Sequence, residues 1–252
     1  MAVDTISGGG DFRVGDVLNR TWRVYTGNIL FFLGIVLLVY LAILLPLGAI
    51  GGLLAFAGMG GGAEWLIAAG GILAALLFVV LNTIGQAVLL LGTFQRMRGQ
   101  PLRVGEALRR AFARFFPLVG LSIVYTLGLA VAFLLLIIPG FIVFVMWAVS
   151  VPACVVDGLG PIASLSRSAE LTKGYRWKVF GLILVLSLIN GIGNQFFQTA
   201  GGFLGVWAGL GGVAIWFVAW TGLWNCALIM IYHDLRVAKE GIDIEQIAAI
   251  FD

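Results

Sequence analysis

The chain has 252 residues, of which 61% are hydrophobic and 11% are charged, and its formal net charge at pH 7 is +3. About a quarter of the residues of a soluble domain are charged, so this composition excludes an ordinary globular protein. The small net charge gives no reason to expect a nucleic-acid partner. We therefore expect an all-α integral membrane protein whose apolar helices cross a bilayer.

Apolar stretches that are long enough to cross a bilayer as helices recur along the whole chain. A bilayer core needs about 20 helical residues, and this criterion predicts six spans. They lie near residues 28–50, 65–93, 117–138, 141–156, 178–198 and 203–232. The fourth stretch is short and contains Pro152, which predicts a kinked or tilted helix, or one that continues to about Gly158. The first stretch lacks a small-residue cleavage site, so we expect it to remain as a membrane anchor.

The basic residues predict the orientation of the chain in the membrane. All 15 Lys and Arg residues lie in alternate segments between the predicted spans or at their borders, whereas the other connections, 51–64, 139–140 and 199–202, contain none. Basic segments stay on the cytoplasmic side of a membrane. The sequence therefore predicts a multi-pass protein of the bacterial cytoplasmic (inner) membrane with both termini in the cytoplasm.

The segment 103–116 has the periodicity of an amphipathic helix. Its apolar residues recur at intervals of three and four, and its arginines occupy the other side. Such a helix beside a span lies in the membrane interface, or it packs on its own protein. In the first case we expect these arginines, with two that precede the first span, to contact anionic lipid headgroups. The expected contact residues are Arg20, Arg23, Arg103, Arg109, Arg110 and Arg114.

Similar segments occur three times, each before a pair of predicted spans. VGDVLNRTWRVY at 14–25 aligns with VGEALRRAFARF at 104–115, and PIASLSRSAELTKG at 161–174 keeps a leucine and an arginine at the corresponding positions. The sequence therefore predicts one polytopic domain, 1–252, built as three repeats of an amphipathic interfacial helix and a transmembrane hairpin. The repeat units are expected near residues 12–95, 101–156 and 160–232, followed by a cytoplasmic tail over 233–252.

Several amide side chains lie inside the predicted spans, whereas no ionisable side chain lies in the middle of one. An unpaired amide in hydrocarbon costs several kcal/mol, so these side chains must face protein or a wet cavity. Two alternatives follow, hydrogen bonds between helices or a polar cavity that opens toward the outer leaflet. The predicted intramembrane polar face consists of Asn82, Gln86, Asn190, Asn194, Gln198 and Asn225.

The sequence contains none of the common catalytic or metal-binding motifs. It has one histidine, His233, and no GxSxG, HExxH or phosphate-binding loop. One histidine with scattered carboxylates makes a poor metal site. We therefore predict no enzymatic activity, no metal and no cofactor.

Two stretches in the second half of the chain combine distinctive motifs. Residues 137–182 contain Pro-Gly at 139–140, Val-Pro at 151–152 and Arg-Ser at 167–168, and residues 232–245 read YHDLRVAKEGIDIE. With these motifs the chain resembles the bacterial membrane-domain family named after glycerophosphoryl diester phosphodiesterase. The resemblance implies a helical bundle in the cytoplasmic membrane. It does not imply the phosphodiesterase activity, because the chain lacks the histidine- and carboxylate-based metal site of that catalytic domain.

The shared motifs also suggest a polar clamp at the cytoplasmic ends of spans four to six. In this hypothesis Arg167 or Arg236 pairs with Glu170 or Asp234, because both motifs are expected at the same membrane depth.

From these features we expect a non-enzymatic membrane scaffold or accessory subunit that grips the anionic cytoplasmic leaflet. The alternative is a transporter or carrier of a lipid or another uncharged hydrophobic molecule, which would use the intramembrane amides. The expected partners are membrane lipids and their anionic headgroups, with a membrane protein or a second copy of the chain as further alternatives.

Overall fold

The computed structural model describes residues 12–58, 64–97 and 113–241, together with Gly105 and Arg109. It describes the backbone alone for residues 57–58, 64–67, 80, 84 and 96–97. Nearly all of these residues are helical, and no strand occurs among them. The expected all-α architecture is therefore confirmed for the described part of the chain.

Nine helices are seen within the described ranges. They are α1 (Val14–Gly27), α2 (Ile29–Gly58), α3 (Glu64–Met97), α4 (Phe115–Leu135), α5 (Ile137–Met146), α6 (Ser150–Val156), α7 (Pro161–Thr172), α8 (Arg176–Leu204) and α9 (Val206–Glu240). In this described part of the chain, six segments are long and apolar enough to cross a membrane, namely α2, α3, α4, α5 with α6, α8 and α9. These six segments correspond to the six spans that the sequence predicts.

The outer surface of the bundle is apolar. Leu30, Leu134 and Phe203 are each more than 80% exposed, and many other large hydrophobic side chains of the long helices are exposed with them. Apolar surface of this extent is unfavourable in water, at about 25 cal/mol per Å². It suits helices that are surrounded by lipid.

The long helices pack as hairpins around the second half of α9. The pairs α2–α3, α4–α5 and α8–α9 are antiparallel neighbours, and α9 also contacts α1, α2, α3, α6 and α7. Every residue of α9 from Asn225 to Arg236 is buried. This half of α9 therefore forms the axis that brings the polar and charged groups of the other helices together.

A break divides the fourth span into α5 and α6. Pro152 has no N–H for a helical hydrogen bond, and the chain makes a turn at 147–149, just before it. The hydroxyl of Ser168 on α7 pairs with the backbone groups at this break. It donates to the carbonyl of Met146 (2.8 Å) and accepts from the N–H of Val149 (3.2 Å). The kink that Pro152 predicts is thus present, and a serine from another helix stabilises it.

The turns of the hairpins differ from the predicted connections. Residues 51–58, expected in a loop, continue α2. Pro139 lies in the first turn of α5, where the missing N–H of proline is tolerated. The chain reverses before it, at Leu136, which has an extended conformation. Residues 199–202 belong to α8, and the reversal occurs at Gly205, whose φ of 97° favours glycine.

Some predicted features lie partly or wholly outside the described residues. The amphipathic segment 103–116 is described at Gly105, Arg109 and 113–116, so the threefold repeat stays a prediction, although α1 and α7 each precede a hairpin as expected. Residues 233–240, predicted as the start of a tail, complete α9, which ends at Gly241 with a left-handed φ of 63°. The rest of the tail lies outside the described residues.

Candidate functional site

Four side chains near the end of α9 form a closed ring of alternating charge. Arg236 donates from Nη1 to Asp157 Oδ1 (3.1 Å) and from Nε to Glu240 Oε2 (3.1 Å). Arg167 donates from Nε to Asp157 Oδ2 (3.2 Å) and from Nη2 to Glu240 Oε1. Each carboxylate thus binds both arginines, and we call these four residues the charge ring.

Three helices position the charge ring. Asp157 caps the C-terminus of α6, and Gly158, with a φ of 69°, turns the chain so that α7 carries Arg167 back towards it. The other two members lie four residues apart on one face of α9. Tyr232, one turn earlier on α9, donates from its hydroxyl to Asp157 Oδ1 (2.8 Å). The ring therefore fastens α6, α7 and α9 to one another.

The charge ring stabilises the charged form of its arginines. Burial alone would lower the pKa of Arg167, but hydrogen bonds and charges from Glu240 and Asp157 outweigh that effect, so its pKa is raised. The side chain of Arg236 is 5% exposed. Charges with so little access to water are stable when they are paired and hydrogen-bonded, and the ring provides both.

A second ion pair joins α1 to α9. Arg20 donates from Nη2 to Asp234 Oδ2 (2.5 Å), and His233 Nδ1 lies 3.1 Å from Asp234 Oδ1. In the part of the chain that the structure describes, no three His, Cys, Asp or Glu side chains come together as metal ligands. The arrangement is therefore an ion pair between helices, with the histidine beside it.

The acids that pair with Arg167 and Arg236 differ from those of the predicted polar clamp. Arg167 and Arg236 do lie together, but their partners are Asp157 and Glu240. Asp234 precedes Arg236 by two residues, which places it on the opposite side of a helix, where α1 packs. Glu170 has an exposed side chain, and its carbonyl accepts a hydrogen bond from Lys239 Nζ (2.8 Å).

Of the two acids in the charge ring, the sequence pattern indicates Glu240 as an ion-pair partner but not Asp157. The spacing of Arg236 and Glu240, four residues apart on a helix, is a known ion-pair pattern and was available to sequence reasoning. Asp157 had no such pattern, because its partners lie 10 and 79 residues further along the chain.

The arginines expected at lipid headgroups fall into three groups. Arg103 and Arg110 lie outside the described residues. Arg23 and Arg109 are exposed. Two others make contacts within the protein, Arg20 to Asp234, and Arg114 from Nη1 to the carbonyl of Gly158. Lipid contact by the expected arginines stays a prediction, and the choice between the interface and packing on the protein stays open for the segment 103–116.

Two adjoining cavities lie between the helices. The first, which we call the inner chamber, has a volume of about 340 Å³ and lies among α3, α4, α5, α6, α8 and α9. The second, the side chamber, has a volume of about 260 Å³ and lies among α2, α3, α8 and α9. Gln86 and Trp224 line both chambers and separate them.

The chambers are lined by uncharged polar, aromatic and aliphatic side chains. The polar ones of the inner chamber are Asn82, Thr83, Gln86, Ser122, Thr126 and Ser150, and its aromatic ones include Tyr125 and Trp147. Asn190, Thr221 and Asn225 contribute to the side chamber. No Asp, Glu, Lys, Arg or His lines either chamber among the described residues. The lining thus offers hydrogen bonds and aromatic surface without net charge.

Amides of the predicted polar face form hydrogen bonds between helices and also line the chambers, while an opening toward the outer leaflet stays a prediction. Asn82 accepts a hydrogen bond from the hydroxyl of Tyr40 (3.1 Å), and Asn190 accepts one from Trp216 Nε1 (3.2 Å). Gln86 lines both chambers, and the buried Oδ1 of Asn225 has no partner within the described chain.

Two of the six predicted amides lie elsewhere. Gln198 donates to Asn194 (3.0 Å) on a more exposed side of α8, and neither residue lines a chamber. Four of the predicted amides therefore converge on the cavities, and two pair with each other outside them.

One family matches the second half of the chain. The model of a family described as a domain of unknown function, DUF7847, matches residues 104–231. The match includes both chambers in part, and Asp157 and Arg167 of the charge ring. No curated protein and no solved structure matches the chain. The resemblance to the membrane domain named after glycerophosphoryl diester phosphodiesterase stays a prediction.

Proposed function

The chain belongs to the DUF7847 family, and we propose that it is a non-enzymatic scaffold or accessory subunit of the bacterial cytoplasmic membrane. The charge ring carries this proposal. Together with the pair of Arg20 and Asp234, it ties α1, α6, α7 and α9 into one rigid end of the bundle. The two positive and two negative charges of the ring neutralise each other, which suits a structural role. An end of the bundle that is held in one arrangement is a suitable surface for a partner protein to bind.

The same end carries groups that suit an anionic leaflet. Arg23 and Arg109 are exposed, and each arginine near such a leaflet contributes about 1 kcal/mol of attraction. Trp22 and Phe116 are 59% and 82% exposed nearby in the sequence, and aromatic side chains are favoured in the interfacial region. These residues support a protein that lies firmly in the cytoplasmic leaflet.

The scaffold proposal is tested by extracting the chain with its surrounding lipid and quantifying the proteins that accompany it. A scaffold retains one or a few membrane proteins, or further copies of itself, in a fixed ratio in every preparation. The double variant Arg23→Gln/Arg109→Gln should lose part of that ratio if exposed charge contributes to docking. A chain that is always recovered alone and monomeric contradicts the proposal.

The chambers favour a second candidate, a carrier of an uncharged amphiphilic molecule. Small-molecule sites have volumes of about 300–1,000 Å³, and the inner chamber, of about 340 Å³, falls in that range. Gln86 lines this chamber, and its side-chain amide can donate a hydrogen bond to a ligand or accept one from it. An uncharged lipid with a free hydroxyl group, such as a diacylglycerol, has this chemistry.

The carrier is tested by native mass spectrometry of the protein with diacylglycerol. Gln86→Leu removes an amide that lines both chambers, so it should weaken binding. Gln198→Leu removes an exposed amide of α8 and is the matched control. A wild-type chain that retains no diacylglycerol, or two variants that retain it equally, would rule out this candidate.

A further inference from the structure

An apolar groove lies on the outside of the bundle, away from both chambers. Its volume is about 440 Å³, and it runs between α5 and the first turns of α8. Phe141, Ile142 and Phe180 are among the apolar side chains that line it, and Arg176 is its one charged lining residue within the described chain. The groove shares no lining residue with either chamber, so it is a separate site.

Arg176 has no partner for its charge among the residues that the structure describes. It makes no hydrogen bond and no ion pair with them, and its Nε is sealed from solvent. The arginines of the charge ring, in contrast, each bind two carboxylates. A half-buried guanidinium without a counter-charge is unfavourable, so an anion bound in the groove would offset this cost.

The position of the groove on the outer surface indicates that its ligand comes from the membrane. Phe141 and Ile142 are 47% and 50% exposed on the apolar outer surface, and Trp177 at the edge of the groove is 85% exposed. On a membrane-spanning chain this surface faces lipid, and an exposed tryptophan is favoured at the depth of the headgroups. The occupant therefore combines an apolar chain with an anionic group.

We propose that this groove binds one anionic phospholipid. Its phosphate binds the guanidinium of Arg176, which matches phosphate geometry with two parallel hydrogen bonds, and an acyl chain packs against Phe141, Ile142 and Phe180. Lys173, three residues before Arg176, has an exposed side chain and adds positive charge. It disfavours a zwitterionic headgroup, whose own cation would lie close to it.

The test counts bound lipid by native mass spectrometry after reconstitution in nanodiscs of phosphatidylcholine with added phosphatidylglycerol. The wild-type chain should retain one phosphatidylglycerol in preference to phosphatidylcholine. Arg176→Gln should weaken retention about tenfold, as expected for loss of a charge-assisted hydrogen bond. Ile142→Trp, which fills the groove at an exposed position, should weaken it similarly. Lys173→Gln removes a nearby exposed charge and should change retention less than Arg176→Gln does.

Several results would overturn the lipid site. They are equal retention by Arg176→Gln and the wild type, equal retention of phosphatidylcholine, and displacement of the lipid by inorganic phosphate alone. A lower melting temperature of Arg176→Gln in pure phosphatidylcholine would also overturn it, because the arginine would then act within the fold. The site is independent of the scaffold proposal, since partner proteins are measured separately from bound lipid.

Discussion

Ser168 replaces, with one hydroxyl group, the helical hydrogen bonds that are lost at the break between α5 and α6. Its side chain is fully buried, and it bridges the carbonyl of Met146 and the N–H of Val149. Buried backbone groups that lose such a partner carry their full desolvation penalty. Pro152 favours the break between α5 and α6 because it lacks an N–H, and Ser168 stabilises the break because it bonds the backbone groups beside it.

Ser168→Ala should lower the free energy of unfolding by about 1–3 kcal/mol, because it leaves the buried N–H of Val149 unpaired and leaves the carbonyl of Met146 with the longer bond from Thr172 Oγ1 (3.4 Å). The measurement is unfolding of the purified protein in detergent. Ser166→Ala is the matched control, since Ser166 lies on the same helix with an exposed side chain, and it should have little effect. Equal stability of the two variants would show that the hydroxyl does not support the break.

Arg236 is the most buried member of the charge ring, with contacts to Asp157, Glu240 and Tyr232. Arg236→Gln should lower the free energy of unfolding by about 3 kcal/mol, because two carboxylates lose a buried partner. Lys239→Gln is the control, because Lys239 reaches the exposed carbonyl of Glu170 and surface contacts contribute at most about 1 kcal/mol. A silent Arg236→Gln variant in the same unfolding assay would exclude the ring as a fastening.

At the scale of the elements, the hairpin of α8 and α9 depends on glycine at the point of closest approach. A Cβ added at Gly201 or Gly209 would meet the backbone of the other residue, whereas one added at Gly211 would meet nothing within 4 Å. Close helix contacts through small residues are typical of membrane proteins. The sequence spacing of these glycines predicts close packing, and the structure shows that the contact crosses the turn at Gly205.

Gly209→Ala and Gly211→Ala should have opposite consequences. The first forces two backbones apart and should cost about 1–3 kcal/mol, whereas the second adds a methyl group in open space and favours the helix by up to about 1 kcal/mol. Unfolding of both variants in detergent measures the difference. If Gly209→Ala were as stable as Gly211→Ala, the close approach of α8 and α9 would be contradicted.

The sequence predicts the spans better than the turns between them, and the reason is physical. The apolar length of a span is a local property that composition reveals. A turn in a membrane protein is decided by packing as well, because backbone groups in lipid stay helical wherever they can. Pro139 and Gly202 are common turn residues, yet both lie inside helices here, and the chain reverses at Leu136 and Gly205 instead.

At the scale of the whole molecule, the polar side chains of different hairpins meet around α9. The periodicity of single helices predicts that Asn82 and Gln86 share a face, and likewise Asn190 and Asn194. It contains no information on which helices become neighbours, so neither the chambers nor the contacts of Asp157 with Arg167 and Arg236 follow from it. Those depend on the tertiary packing of α6, α7 and α9.

Contacts between helices also bring several arginines to one end of the bundle. The charge ring, the pair of Arg20 and Asp234, and the contact of Arg114 with Gly158 all involve the same end of the bundle. We propose that this end lies in the cytoplasm and that the turn at Gly205 lies on the opposite side of the membrane.

Labelling of introduced cysteines in intact bacterial cells with a membrane-impermeant maleimide tests that claim most directly. The native Cys154 and Cys226 are buried, so the parent chain gives the background. We predict that Gly202→Cys, beside the turn of α8 and α9, is labelled in intact cells, and that Lys173→Cys, in the turn before α8, is labelled after permeabilisation alone. Labelling of Lys173→Cys in intact cells, with Gly202→Cys protected until the cells are opened, would contradict the account.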